Sequence, residues 1–497
     1  MKKRLRQAVS VLVCLVMMLS LAACGLNRKP STTTVNSVPR VYLTLPEDNV
    51  KFVRQDDKEV NVYDISELDR ESGIVVDIDP ETTYQTIEGF GIALTESSVI
   101  NLYLLPEEER NKIMMMCFDE DEGVGLSFLR QPLGGSDFVE DYYSYDEVPE
   151  GETDFELEHF SIEHDKEKMI PLVKQAISIN PDIRLVGSVW SAPRWMKDKY
   201  EWTSENKAQI RLDCYNVYAQ YIVKALQAWE EEGLPFYAIT PSNEPTGIHN
   251  IPANYFTADN MTRLVNNYLR PAMTKAGLDT QLWCWDFSYW EDSAMSFLTP
   301  TVNSVDGVAF HAYSGEADLM GKIHEMYPDL SLYVTEAATS PMSGKGQLFR
   351  QVGRIDDAFR NHASGYFLWN LILDQDLGPQ PEGAAIVSSG LFRLNTETME
   401  VDPYMDFYVL AHYSKFMRPG AKMVESTDTG TETNGECRNT VVRNENGTIT
   451  AVISNRTLDD VVYKLVIGND VIEYKLPALG VATLTWDANI YEKETTK

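Results

Sequence analysis

The sequence predicts an α/β protein, a (β/α)8 TIM barrel with a β-sandwich attached, on three observations. From 85 to 374, short apolar runs alternate with longer amphipathic stretches, which is the pattern of repeated βα units. Eight such runs occur, the number that closes a barrel. On either side, 41–79 and 423–486 alternate apolar and polar residues, carry a turn signal at Asn446-Gly447 and show almost no helical period, so they read as strands.

In chain order the strand-like runs are QTIEGFGIAL from Gln85, GLSFLRQPL from Gly125, IRLVGSVWSAP from Ile183, FYAITPSNEP from Phe236, TQLWCWDFS from Thr280, GVAFHAYS from Gly307, SLYVTEAA from Ser331 and GYFLWNLILD from Gly365. Helical patterns fill the spaces between them, among them 106–118, 164–180, 211–232, 257–276 and 347–362. The two strand-rich flanks are each too small to bury much core alone. One sandwich built from both ends of the chain is therefore expected rather than two small domains. The expected division is a targeting segment at 1–24, a tether at 25–40, N-terminal sandwich strands at 41–84, the barrel at 85–400, returning strands at 401–487 and a polar tail at 488–497.

The first 24 residues combine a basic start (Lys2, Lys3, Arg4, Arg6), an apolar run and small residues before Cys24, which is the layout of a signal peptide. The apolar run is short for a bilayer span. Its LAAC ending resembles the lipobox of bacterial lipoproteins, which implies acylation at Cys24 and an extracytoplasmic, membrane-anchored protein at the bacterial cell surface. An ordinary secretory signal with an incidental cysteine is the alternative.

Acidic residues outnumber basic ones by 75 to 43, for a formal net charge of −32. The targeting segment holds four bases and no acid, so the remainder is more negative still. Such a charge disfavours nucleic acid as a partner and anionic polysaccharide as a substrate, and it suits a neutral glycan. Of six cysteines, Cys117, Cys214, Cys284 and Cys437 lie beyond the targeting segment, too widely spaced for a disulfide framework or a zinc site. No metal-ligand spacing, phosphate loop or dinucleotide fingerprint occurs, so neither metal nor cofactor is expected.

Polar residues gather where the strand-like runs end, and that is where barrels of this kind carry their active sites. Glu244 ends the fourth run in SNEP and Glu336 ends the seventh in YVTEAA. Two carboxylates flanking one bond are what glycoside hydrolysis requires, one to protonate the leaving oxygen and one to attack or to activate water.

SNEP at 242–245 and three further stretches bear on this: WSAPRWMK at 190–197, LRQPLGGSDF at 129–138 and FHAYS at 310–314. Together they resemble glycoside hydrolase family 30, a retaining group that includes the glucosylceramidases. The similarity runs from Gly89 to the YSKFMRPG ending at Gly420. The resemblance implies a barrel with an attached sandwich, Glu244 as acid/base and Glu336 as nucleophile. It also implies that Asn243 bonds the sugar 2-hydroxyl, that Arg130 is the cation beside the nucleophile, and that His311 and Tyr313 line the floor near it. Trp190 and Trp369 match aromatic positions around the sugar, and Asp137 matches a carboxylate that reads hydroxyls remote from the reacting carbon. Glu336 must stay ionised and Glu244 must carry a proton, so the two need opposite surroundings.

Three departures from the lysosomal members concern substrate more than reaction: Ala312 replaces an aromatic residue, their disulfides have no counterpart, and the stretch after Asn370 is rebuilt. The expected activity is a retaining β-glucosidase of the glucosylceramidase-like type acting on neutral β-glucosides. A β-1,6-glucanase or β-xylosidase of the same family is the alternative within the class. A non-catalytic glycan-binding lipoprotein is the alternative outside it, although a pure binder has no need of a charge pair in one pocket.

Overall fold

The computed structural model describes residues 33–340, 344–382, 384 and 386–489; the targeting segment, with Cys24, lies outside them. Eight parallel strands close into a barrel in sequence order: β1 (Gly89–Ala93), β2 (Phe128–Pro132), β3 (Arg184–Ser188), β4 (Phe236–Thr240), β5 (Gln281–Tyr289), β6 (Gly307–Gly315), β7 (Ser331–Glu336) and β8 (Ala363–Leu368). They are covered on both faces, which is why they read in the sequence as nearly unbroken apolar runs. β8 pairs with β1 to seal the ring, in the register Gly365↔Gly89. A side chain on Gly91 would come within 2.7 Å of Phe128 and 2.8 Å of Phe367, so the seam admits glycine alone.

Successive inward residues of each strand stack in layers. The lower layer is apolar, formed by Phe128, Val186, Ala238, Trp283, Ala309, Tyr333 and Phe367, with the Trp283 and Tyr333 rings stacked at 3.9 Å. Two residues further along, the same strands present Arg130, Ser188, Thr240, His311, Thr335 and Trp369, which with the exception of Trp369 are polar. The barrel is therefore plugged below and chemically equipped above.

β5 breaks this parity. Two residues beyond Trp283, Trp285 should point inward; instead the pairing register with β6 shifts between Trp285 and Phe287, and Trp285 and Asp286 take left-handed conformations with φ of 75° and 57°. The bulge turns Trp285 out to pack on Phe297 and swings the Asp286 carboxylate into the upper layer.

The expected helices form. The 257–276 stretch holds a π-helical turn, Val265–Leu269, between Ala258–Leu264 and Arg270–Ala276. Pro271 accounts for it, since proline crowds the carbonyl one turn back and offers no N–H. Helices that the periodicity did not single out include Glu96–Leu104, Glu291–Thr301, Asp318–Met326 and Met405–Ser414.

The flanking strands build a second body from both chain ends. Arg40–Leu45 pairs antiparallel with Gly480–Asn489, and Ile74–Thr86 lies between Lys422–Ser426 and Val461–Ile467. All belong to one eleven-stranded sheet. Its core draws Val41 and Leu43 from one end of the strand order and Ile472 and Tyr474 from the other, so the sheet curls over itself and the two sandwich layers are continuous. The body is tied to the barrel by His412 on helix Met405–Ser414, whose ring nitrogens lie 2.8 Å from the hydroxyls of Thr44 and Thr483. Burial pushes that imidazole down to about 3, so it is neutral. The four cysteines among the described residues are buried free thiols.

Candidate active site

The C-terminal mouth of the barrel opens into a cavity of about 470 Å³, whose lining includes Asp137, Trp190, Asn243, Glu244, Tyr313, Glu336 and Trp369. Glu336 is the last residue of β7. Its Oε2 accepts from Arg130 Nη1 at 2.5 Å and its Oε1 from the Tyr313 hydroxyl at 2.8 Å. Both oxygens are thus met by donors, as an ionised carboxylate requires.

Glu244 arrives differently, on the turn beyond β4, with φ of 42°. That left-handed conformation is unusual for a side-chain-bearing residue. It is fixed from both sides: the Glu244 N–H donates to the Asp286 carbonyl at 3.1 Å, and its own carbonyl accepts from Gly247 at 2.9 Å. One Oε1 contact is His311 Nδ1 at 2.9 Å, and Oε2 lies 2.9 Å from His249 Nε2. One oxygen of each glutamate lies within 4.8 Å of the other, close to the spacing of about 5–5.5 Å between carboxyls in retaining enzymes and short of the roughly 6.5–9.5 Å of inverting ones.

Beneath the pair runs a buried network. Arg130 Nη2 donates to Asn243 Oδ1 at 2.8 Å and to Asp286 Oδ2 at 3.1 Å. Asp286 also accepts from Ser188, Thr240 and Thr335 at 2.6–2.8 Å and faces His311 Nε2 at 3.2 Å. Burial works against its charge, but Arg130 and His311 outweigh burial and hold its carboxyl far below the usual range. Burial likewise opposes a charged His311, yet Glu336, Asp286 and Glu244 around it push it up to about 10. Three acids and two cations share this core, so each buried charge has a partner.

For Glu244, burial favours the protonated form, but His249 and His311 outweigh it and bring the carboxyl down to about 2. The two imidazoles therefore favour the carboxylate form of Glu244 in the free site.

Stacked indoles roof the guanidinium. Trp190 and Trp369 lie 5.1 Å apart at 17°, and Arg130 sits 4.9 and 5.4 Å from their rings, a favourable place for a cation. The loop that follows Trp190 is clamped by Lys197, whose buried ammonium donates to Ser191 Oγ and to the carbonyls of Glu201, Trp202 and Ala253. Asp137 is buried, mainly for which reason its carboxyl is raised well above the usual range, with Glu336 adding to the effect. Its Oδ1 has no partner among the described residues and is left for a ligand. With Asn243 Oδ1 taken by Arg130, the free end of that amide is its NH2 group.

All nine side chains singled out in the sequence for the site therefore meet at this mouth. Asp286 and His249 were not singled out, nor were Ser188, Thr240 and Thr335. Glu244, His311 and Glu336 bring donor atoms within 4.8 Å of one another, but they do not fit a metal ion. The guanidinium already occupies Glu336 Oε2, and both nitrogens of His311 face carboxylates. Of the other tryptophans, Trp283 fills the lower layer, Trp285 and Trp195 pack in the surrounding core, and Trp290 is partly exposed against Phe287.

Comparison with known proteins adds to this geometry. Residues 87–417 match the family model described as the glycosyl hydrolase family 30 TIM-barrel domain. The chain is 30% identical over 432 residues to an endo-1,6-β-D-glucanase of Neurospora crassa, covering 82% of this chain and 88% of that protein. It is 26% identical over 422 residues to the lysosomal acid glucosylceramidase of Mus musculus, covering 78% and 79%. A solved endo-β1,6-glucanase superposes with a TM-score of 0.80 at 26% identity, over 91% of this chain and all of that one. The SrfJ structure from Salmonella typhimurium, at 21% identity and a TM-score of 0.82 over 90% and 99%, shares the fold.

Proposed function

Because the chain belongs to glycosyl hydrolase family 30, we propose that this mouth cleaves β-glucosidic bonds of neutral glycosides with retention, Glu336 attacking and Glu244 serving as acid/base. The observation that carries the assignment is the closely spaced carboxylate pair whose members have different partners, a guanidinium and a tyrosine hydroxyl on Glu336, two imidazoles on Glu244. A nucleophile needs donors that keep it charged and aimed; an acid/base needs neighbours that exchange protons.

In the first step a Glu336 oxygen bonds to the anomeric carbon while the leaving oxygen departs with its electron pair and takes a proton from the Glu244 side. In the second, water attacks that carbon, returns a proton to the Glu244 side and releases Glu336 as carboxylate. Asn243 offers its amide N–H to the sugar 2-hydroxyl, Asp137 accepts from hydroxyls further round the ring, and the indoles of Trp190 and Trp369 cover apolar ring faces.

A second reading, an endo-β-1,6-glucanase, is favoured by one observation: the Neurospora relative and this chain match over more than four-fifths of both. Incubation with a β-1,6-glucan, β-linked glucose disaccharides, aryl β-glucosides, aryl β-xylosides and glucosylceramide, with product anomers read by NMR, tests both readings. A first product of α configuration would sink retention; activity on the β-xyloside alone would sink the glucoside assignment. We further propose that the chain lies outside the cytoplasm, anchored by lipid at Cys24, a reading supported by the LAAC motif. No helix of the described residues is long and apolar enough to cross a membrane.

A further inference from the structure

Glu244 stands between two imidazoles with different duties. His311 faces Glu244 Oε1 through Nδ1 and Asp286 Oδ1 through Nε2. With acceptors on both sides the ring is doubly protonated and donates to Oε1. A proton carried by Glu244 itself must then sit on Oε2, the oxygen 2.9 Å from His249 Nε2.

That histidine is placed by a built loop. Its N–H donates to Ser204 Oγ at 2.8 Å, its carbonyl accepts from the Ser204 N–H at 3.1 Å, and Ser204 Oγ is also 2.8 Å from the Gly247 carbonyl. Gly247 leaves room for the ring: a Cβ there would lie 1.8 Å from His249 Nε2. The imidazole packs edge-on to Phe287. Its Nε2 is buried without an aligned hydrogen bond among the described residues, so Oε2 is the polar group it is set to serve.

We propose that His249 is a positioning residue that shares the proton of Glu244, lying between Oε2 and Nε2, so that the pair rather than the carboxyl alone supplies the proton to the leaving oxygen. The proposal rests on the reading of Glu244 as acid/base. In glycosylation the C1–Glu336 bond forms, the bond to the leaving oxygen breaks with its electrons on that oxygen, and the pair gives up its proton. In deglycosylation water supplies the new oxygen and its proton restores the pair, while the C1–Glu336 electrons return to the carboxylate. The charges facing Glu244 agree. Glu336, Asp137 and Tyr313 line other walls of the cavity, the Tyr313 hydroxyl being given to Glu336, and His311 is set between Glu244 and Asp286. With an imidazole nitrogen 2.9 Å from each Glu244 oxygen, a proton that leaves Oε2 has His249 Nε2 within reach.

The test uses the full chain with His249→Ala, His249→Gln and Gly247→Ala. The readout is kcat/KM against pH for an aryl β-glucoside with a poor leaving group and for a dinitrophenyl β-glucoside. In all three variants the alkaline limb for the poor leaving group is expected to fall by about one pH unit or more, roughly tenfold at neutral pH, while the dinitrophenyl glycoside loses far less. Glutamine fills the space and donates but cannot hold a proton, so a wild-type limb in His249→Gln overturns the proposal, as does an equal loss on both substrates. Glu244→Ala separates the two ideas. If it also loses both substrates equally, the acid/base assignment itself falls; if it spares the dinitrophenyl glycoside while the His249 variants keep the wild-type limb, only the shared proton falls.

Discussion

Replacing Asp286 by asparagine probes the layer beneath both glutamates. The carboxylate is fully buried; its Oδ2 accepts from Arg130, Ser188 and Thr240, and its Oδ1 accepts from Thr335 and faces His311. An amide keeps the shape and removes the charge. The three hydroxyls can rotate and accept, but a guanidinium has no acceptor to offer, so the NH2 must turn toward His311, whose Nε2 then gives up its proton. Two charge-assisted contacts are weakened at roughly 1.5–3 kcal/mol each, and unfolding free energy should fall by about 3–5 kcal/mol, the range for removing one partner of a buried ion pair. The pH dependence should change with it. A histidine raised to about 10 in the fold stabilises fully below its ordinary value of about 6.5 and ceases to do so as pH rises through about 10. Wild-type stability should therefore decline between about pH 7 and 10 more steeply than that of Asp286→Asn. Urea unfolding across that range and NMR titration of the His311 ring are the assays. A variant within about 1 kcal/mol of wild type, or one whose His311 stays doubly protonated at alkaline pH, refutes the reasoning.

Glu336→Ala should abolish turnover of unactivated substrates, and azide should restore it with inverted product; Glu244→Ala should give a burst and slow steady rate on dinitrophenyl glycosides, accelerated by azide with retention. Reversed configurations would exchange the two roles. His412 is neutral in the fold, its value lowered to about 3 by burial, so it costs stability as pH falls from about 6.5 toward 3. His412→Gln should lose stability at pH 7 through its bonds to Thr44 and Thr483 but show a shallower acid decline in urea melts at pH 4–7; parallel curves would exclude the histidine as the cause. Cys24→Ser should move the protein from the membrane fraction to the soluble fraction and remove palmitate labelling, and persistence of the label would place the acyl group elsewhere.

How much of this was legible in sequence follows from the range of the forces involved. Apolar runs of strand length announced β1 to β8, because a parallel strand covered on both faces leaves no other composition. Glu244 and Glu336 were visible because each stands at or just beyond a strand end, where a polar residue interrupts an apolar run; Arg130 and His311 lie within their strands and were reached through the family resemblance. Asp286 was hidden by the bulge in β5: strict alternation assigns the inward position to Trp285, and the shift that exchanges them is settled by pairing with β6. His249 was hidden because its loop is held by Ser204, 45 residues earlier in the chain. The two-ended sandwich followed from strand texture, whereas its curl into one continuous sheet depends on a strand order that no local pattern encodes.

That two-ended sheet sets a schedule. Arg40–Leu45 leaves the ribosome early, but its partner Gly480–Asn489 is the last strand among the described residues, and at about 5–20 residues per second the interval is roughly 20–90 s. The barrel strands, complete at Leu368, become available to close late in that interval, while the first strands wait with open edges and apolar faces. The N-terminal segment is thus the part of the nascent chain in greatest need of a chaperone, and its capture by the final strand is the step that commits the molecule to its finished form.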